Sequence, residues 1–137
     1  MLERVITTHR RLNEAAEGDG TELNQKLSVV ALGEPDPDGA HHLYEIRYPD
    51  VEILVDAEDG LPIAFQKGGV KEVGGVNGIS NEALLAVVLD RLEGWQRGPF
   101  ACEENAAALS HLESVLAFMH GRTLDRQRRG VEGESKP

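Results

Sequence analysis

Residues 77–133 carry the pattern that most limits what this chain can fold into. Across Asn81–Arg97 the apolar residues Leu85, Val88, Leu92 and Trp95 recur at steps of three, four and three, and Leu84 and Val87 widen the stripe. Across Glu103–Arg129 the set Leu109, Leu112, Leu116 and Met119 repeats the pattern, flanked by Ala108 and Val115. This spacing gives each segment one apolar helical face, and such a face leaves water by packing on another. Gly98-Pro99 stands between them: glycine accepts the geometry of a helix end, and proline cannot continue a helix. So short a connection turns the second helix antiparallel to the first. Ser80 suits the first N-cap, with Glu82 in the first turn, and Glu103 and Glu104 complement the positive end of the second helix. The second helix outruns the first by roughly two turns. Its Arg122–Arg129 end therefore needs another surface, the sheet or a second chain, and this mismatch favours an oligomer.

The residues before the hairpin read as strands and turns. Lys26–Leu32 is rich in Leu and Val, and His42–Tyr48 alternates like a half-buried strand. Between them, GEPDPDGA is turn chemistry throughout, so a β-hairpin with an extended loop is expected. Val51–Val55 reads as a third strand and Asp56–Gly60 as an acidic turn. Ile63–Gln66 and Val70–Val73 read as two short strands around Lys67-Gly68-Gly69. A weak helical signal over Val5–Ala16 belongs to an arm expected to lie at the periphery. The expected fold class is α+β, a small antiparallel β-sheet followed by a long antiparallel two-helix hairpin. The expected organisation is a peripheral arm over 1–25, the sheet over 26–76, the hairpin over 77–130, and a tail over 131–137 that docks elsewhere or stays loose.

Charge narrows the partners. A formal net charge of −10 over 137 residues argues against nonspecific binding to DNA, RNA or an anionic membrane. Yet Arg122, Arg126, Arg128 and Arg129 crowd into the last turns of the second helix, which suits a small anionic ligand better than a polyanion. No run has the length to span a bilayer, and the N-terminal residues lack the apolar core of a signal peptide. A soluble protein of the cytoplasm is the expectation. The single cysteine, Cys102, excludes an internal disulfide framework and a multi-cysteine metal site.

Few residues suggest chemistry. Arg122, Arg126 and Arg129 stand at i, i+4 and i+7, so three guanidinium forks share one helical face, a geometry that grips phosphate or complements the negative end of the helix. Trp95, the only tryptophan, is either a stacking platform for a base or the last core residue of its stripe. Asn105 either reads a nucleobase edge or caps. His41-His42 would point to opposite faces of a strand, and His9, His111 and His120 lack partners at ligand spacing, so no metal site is expected. Ser110-His111 has no third member, and the glycines match neither a P-loop nor a dinucleotide fingerprint. No catalytic residue and no cofactor are expected. An enzyme that destroys a nucleotide would need a metal or a positioned base that these residues do not assemble, whereas a dimeric adaptor binding an acidic partner stays open.

The run FQKGGVKEVGGVNGISNEALLAVVLDRL, with GPFACEENAAALSHLE and RTLDRQRRGVEG after it, resembles a phage family. It is similar to the helical-hairpin domain shared by anti-Thoeris and anti-CBASS sponge proteins, over about Ala64 to Glu134. The strands before the hairpin favour the anti-Thoeris branch. The resemblance implies a non-catalytic phage protein in the bacterial host cytoplasm that sequesters a nucleotide immune signal, a cyclic ADP-ribose isomer for this branch. Some members also take cyclic di- or trinucleotides at separate sites. The family assembles as dimers, or as hexamers built from dimers. The contacts it implies fall on Trp95 for adenine stacking, Asn105 for a polar contact, and Arg122 and Arg126 for phosphates. Trp95 stands where relatives have Phe and keeps a π-face. The Gly74-Gly75 pair departs from the family spacing and leaves Asn77 as the contact from that loop. Replacing Arg126 is expected to weaken ligand binding and leave the fold intact. Asn105 and Arg122 are about 25 Å apart along one helix at 1.5 Å per residue, so a pocket using both needs two protomers, tip to arginine end.

Overall fold

A computed structural model describes residues 1–10, 23–48 and 60–137. The fold is α+β and divides into two compact units, 1–64 and 65–137. In the first, β1 (Glu3–Ile6), β2 (Ser28–Leu32), β3 (Leu43–Arg47) and β4 (Gly60–Ala64) form an antiparallel sheet in the order β1-β2-β3-β4. Registers such as Val5↔Val30, Val30↔Glu45 and Glu45↔Pro62 put these residues on one row. β2 lies inside the sheet, and its Val30 and Ala31 are the buried apolar residues among those described. On one face Arg47 donates to Glu3 and to Glu45, tying β1 to β3 across β2. Pro62 fits β4 because an edge strand tolerates a residue without a ladder donor.

The expected hairpin of β2 and β3 is present, and Gly33–Ala40 turns between them. β2 begins later than the sequence suggests because Leu23–Lys26 (α1) closes one helical turn ahead of it. Two local expectations are overturned. Val5 and Ile6 belong to β1 rather than to a helix, since they complete the edge of a sheet whose ladder β2 already offers; a 3-10 turn follows at Thr8–Arg10. Val70–Val73 is not a strand but a single helical turn, α2. It sits between glycines in the left-handed region, Gly68 at φ 78° and Gly74 at φ 82°, and both Glu72 and Val73 donate to the Gly69 carbonyl. The expected strand Val51–Val55, most of the acidic turn after it and the rest of the helical signal fall at 11–22 and 49–59, outside the described residues.

The second unit holds the helical hairpin, α3 (Asn81–Gln96) and α4 (Glu103–Arg128). Ser80 caps α3, its hydroxyl accepting from Ala83 N–H at 3.0 Å. Besides Glu93, half-buried positions on α3 are Glu82, Leu85, Leu89, Leu92 and Gln96; on α4 they are Asn105, Leu109, Leu112, Leu116, Met119 and Thr123, ending in buried Arg126. They alternate steps of four and three, the spacing of a seam between two helices. The α4 half of this seam is the expected one. On α3 it runs through Leu89 and Gln96 where the sequence suggests Val88 and Trp95. Leu84, Val87, Val88 and Trp95 form a neighbouring stripe that one chain leaves exposed.

α4 ends in a Schellman motif. Gly130, at φ 72°, donates to the Gln127 carbonyl and Val131 to the Arg126 carbonyl. This turn folds the 131–137 tail back on its own unit. Lys71 N–H donates to the Gly133 carbonyl at 2.9 Å, Gly69 N–H to Ser135 Oγ at 3.2 Å, and Ser135 N–H to Glu72 Oε1 at 2.8 Å. That last bond holds the Glu72 carboxyl below the usual carboxylate range. The surface awaiting the overhanging end of α4 therefore includes its own tail.

Two glycine substitutions test this packing. A Cβ on Gly69 would sit 2.3 Å from the Gly133 carbonyl oxygen, whereas one on Gly121 meets nothing within 4 Å. Gly69→Ala should destabilise the unit by about 1–3 kcal/mol through overpacking. Gly121→Ala should stabilise α4 by about 0.5–1 kcal/mol through helix propensity. Urea unfolding of the two variants beside the parent chain reads both.

Candidate functional site

Two amide side chains build the turn between α3 and α4. Gln96 donates from Nε2 to the Cys102 carbonyl and accepts at Oε1 from Cys102 N–H, both at 3.1 Å. Asn105 donates from Nδ2 to the Phe100 carbonyl at 3.2 Å, and its backbone N–H is capped by Cys102 Sγ at 3.4 Å. So braced, the turn presents Phe100 at 73% exposure beside Trp95 at 39%. Arg91, Trp95, Phe100 and Asn105 line a groove of about 420 Å³. The Arg91 guanidinium carbon lies 4.7 Å from the centroid of the Trp95 ring.

The chemistry of this surface is narrow. Its walls are aromatic, and its polar groups are one carboxamide and one guanidinium. Asn105 keeps its Oδ1 and one N–H beyond the bond to Phe100, a donor and an acceptor side by side. A planar heterocycle can stack on the indole and meet that pair with its edge. The volume lies within the range of about 300–1,000 Å³ usual for small-molecule sites, but such sites enclose about 70–90% of their ligand. This groove is open along its aromatic wall.

The arginines stand elsewhere. Arg122 and Arg128 are exposed, with no hydrogen bond or ion pair to the described residues. Arg129 donates from Nε to Asp125 Oδ2 at 2.9 Å and from Nη1 to the Pro137 carbonyl at 2.8 Å. Arg126 is 6% exposed. Its Nε donates to Glu132 at 3.1 Å, its Nη1 to the Lys136 carbonyl at 2.6 Å, and its Nη2 to the carbonyls of Val131 and Glu134 at 2.9 and 2.8 Å. Four of its five N–H donors thus hold the tail in a ring. The expectation that the fold is indifferent to Arg126 does not survive this geometry.

Asn77 also has a local task. Its Oδ1 accepts from Lys67 N–H and its Nδ2 donates to the Lys67 carbonyl, both at 2.9 Å. Gln66 returns the pattern, accepting from Asn77 N–H at 2.8 Å and donating to the Gly75 carbonyl at 3.2 Å. The motif from Gln66 to Asn77 is a pair of reciprocal amide clamps that delivers the chain to Ser80. Of the six residues marked by the sequence, the structure brings Trp95 and Asn105 together at the hairpin tip. Arg126 and Arg129 meet around the tail, while Arg122 and Asn77 stand apart from both groups. Arg91 and Phe100 were not foreseen. The i, i+4 spacing of Arg91 and Trp95 is the signal for the first, and an aromatic stranded after Pro99 is the signal for the second.

Comparison with known proteins gives this geometry a context. Residues 58–123 match the family model of the Acb2/Tad1 hairpin domain. Over 71 residues the chain is 46% identical to a Bacillus phage SBSphiJ7 protein named Thoeris anti-defense 1, a match covering 52% of this chain and 49% of that protein. The chain thus spans about half the length of the curated relative it matches.

Removing the Arg126 side chain should release the tail. Arg126→Ala is expected to lose about 1–3 kcal/mol of stability and to raise amide exchange over 131–136. A melting curve and an exchange profile both unchanged from the parent would refute the clamp.

Proposed function

We propose, from the match of residues 58–123 to the Acb2/Tad1 hairpin domain, that the chain is a phage counter-defence protein that sequesters a cyclic nucleotide signal. The ligand is a cyclic ADP-ribose isomer, bound intact. The observation that carries the proposal is the tip groove, in which Trp95 and Asn105 offer a stacking face and an edge-reading amide. A sponge must hold its ligand more tightly than the defence effector does, which calls for an enclosed, preorganised pocket. One chain leaves the groove open, so a second chain closes it.

The rigid length of α4 says how. Asn105 and Arg122 lie about 25 Å apart on one continuous helix, beyond the reach of one small nucleotide. In a two-fold homodimer the tip of one protomer meets Arg122 of its antiparallel partner, and each pair of chains forms two equal pockets. The stripe of Leu84, Val87 and Val88, with exposed Phe118 on α4, supplies apolar surface for that contact. Three such dimers would make a hexamer. Arg129 adds charge at the same end, and Arg126 reaches a phosphate only if the tail yields one of its bonds.

A thermal-shift panel tests the ligand. It holds cyclic ADP-ribose isomers, cyclic dinucleotides and cyclic trinucleotides, with linear ADP-ribose as control. At a ligand concentration a hundred times Kd, binding to the native state adds about 2.7 kcal/mol and lifts Tm by several degrees. The expected hit is a cyclic ADP-ribose isomer, recovered unchanged by mass spectrometry after heat release. A hit among cyclic di- or trinucleotides alone would move the protein to the anti-CBASS role. Cleaved ligand would make it an enzyme, and no shift from nucleotide-free protein would make it an adaptor.

Shared pockets make a second, sharper prediction. Trp95→Ala and Arg122→Ala should each bind poorly alone. Co-refolded in equal amounts, half of the dimers are mixed and each mixed dimer has one intact pocket. About a quarter of the parent capacity should return, as counted by calorimetry. A pocket built within one chain returns nothing.

A further inference from the structure

Arg91 lies on the Trp95 ring and makes no ion pair to an acid among the described residues. In this chain of 24 acidic and 14 basic residues, several arginines are paired, Arg97 with Glu93, Arg129 with Asp125, and Arg47 with Glu3 and Glu45, while Arg91 joins Arg122 and Arg128 among those without an ion pair to the described residues. Arg91 makes no ion pair or hydrogen bond among the described residues, and its one contact of note is the cation–π stack at 4.7 Å. That spacing leaves no room for a ring between guanidinium and indole. Of the four residues lining the tip groove, Arg91 alone carries charge.

We propose that Arg91 is a ligand-binding residue that covers Trp95 in the free protein and turns its guanidinium fork to a phosphate when a nucleotide base takes its place. This rests on the reading of the tip groove as a nucleotide site. A guanidinium is planar and weakly hydrated, so it stacks on an aromatic face as a base does and keeps that face flat when the groove is empty. Displaced, it remains anchored four residues before Trp95 on the same helix, and its long side chain sweeps the groove mouth. There it meets the phosphate end of any nucleotide whose base rests on the indole, and the fork binds two oxygens at once. The tip then holds a complete pair of subsites within one chain, base on Trp95 and phosphate on Arg91. The partner's arginine end supplies a second phosphate contact.

The test uses the full chain, with Arg91→Ala and Arg91→Lys, titrated calorimetrically with each cyclic ADP-ribose isomer of the panel. Trp95 is the only tryptophan, so emission reports on this groove. Arg91 is exposed and without polar partners among the described residues, so both variants should fold and melt like the parent. Ligand-free Arg91→Ala should show altered Trp95 emission. Both variants should weaken isomer binding tenfold or more, Lys included, because an ammonium neither stacks as a plane nor forks onto two oxygens. If either variant binds within twofold of the parent, the assignment of Arg91 is overturned while the groove keeps its nucleotide. If the parent chain itself binds no isomer, the nucleotide reading falls and this inference with it.

Discussion

Helix α4 is one unbroken rod, and the rest of the second unit is arranged by its two ends. At its start Cys102 and Gln96 brace the turn that exposes Trp95 and Phe100; at its finish a Schellman glycine turns the chain back around Arg126. Because a helix advances by about 1.5 Å per residue, these ends cannot be brought together by side-chain motion. A stacking surface and an arginine cluster are held apart within a chain and can meet only between chains. Under the proposed function, the rod converts a binding requirement into an assembly requirement.

Much of the fold was legible because its signals are local and periodic. The steps of three and four, Gly98-Pro99 and the Ser80 cap each act within a turn or two of the residues concerned. The strands at 28–32 and 43–47 announce themselves by composition and by the turn chemistry between them. The seam on α3 was legible only to within one position, because Leu84, Leu85, Val87, Val88 and Leu89 are all apolar and periodicity cannot choose among adjacent stripes. β1 was hidden because a four-residue edge strand owes its existence to the neighbour it pairs with. Val70–Val73 has the composition of a strand, yet its flanking glycines, two of them left-handed, close it into a turn.

The site divides in the same way. Trp95 and Asn105 are separated by nine residues and by a helix turn that any hairpin must make, so their meeting follows from the hairpin itself. Arg122, Arg126 and Arg129 look equivalent on a helical wheel, but the structure gives them three different conditions: exposed and unpaired among the described residues, buried in a ring of three carbonyls and the Glu132 carboxylate, and half engaged by a carboxylate and a carbonyl. The difference lies in backbone oxygens of the tail, which no side-chain pattern encodes. Arg91 is harder to read from sequence for a related reason, since its partner is the face of a ring rather than a charge.

The bonds between the tail and residues 69–72 also order events in time. Gly69 reaches Ser135 across 66 positions, and Ser135 reaches Glu72 across 63, among the longest sequence separations in the hydrogen bonds of the described residues. On a ribosome the two helices can zip together as they emerge, each contact being near in sequence. The loop from Gln66 to Gly75 has no such freedom: its last partners are residues 133–135, which leave the exit tunnel after both helices. The stretch that leads into the hairpin is thus finished only after the hairpin it leads into.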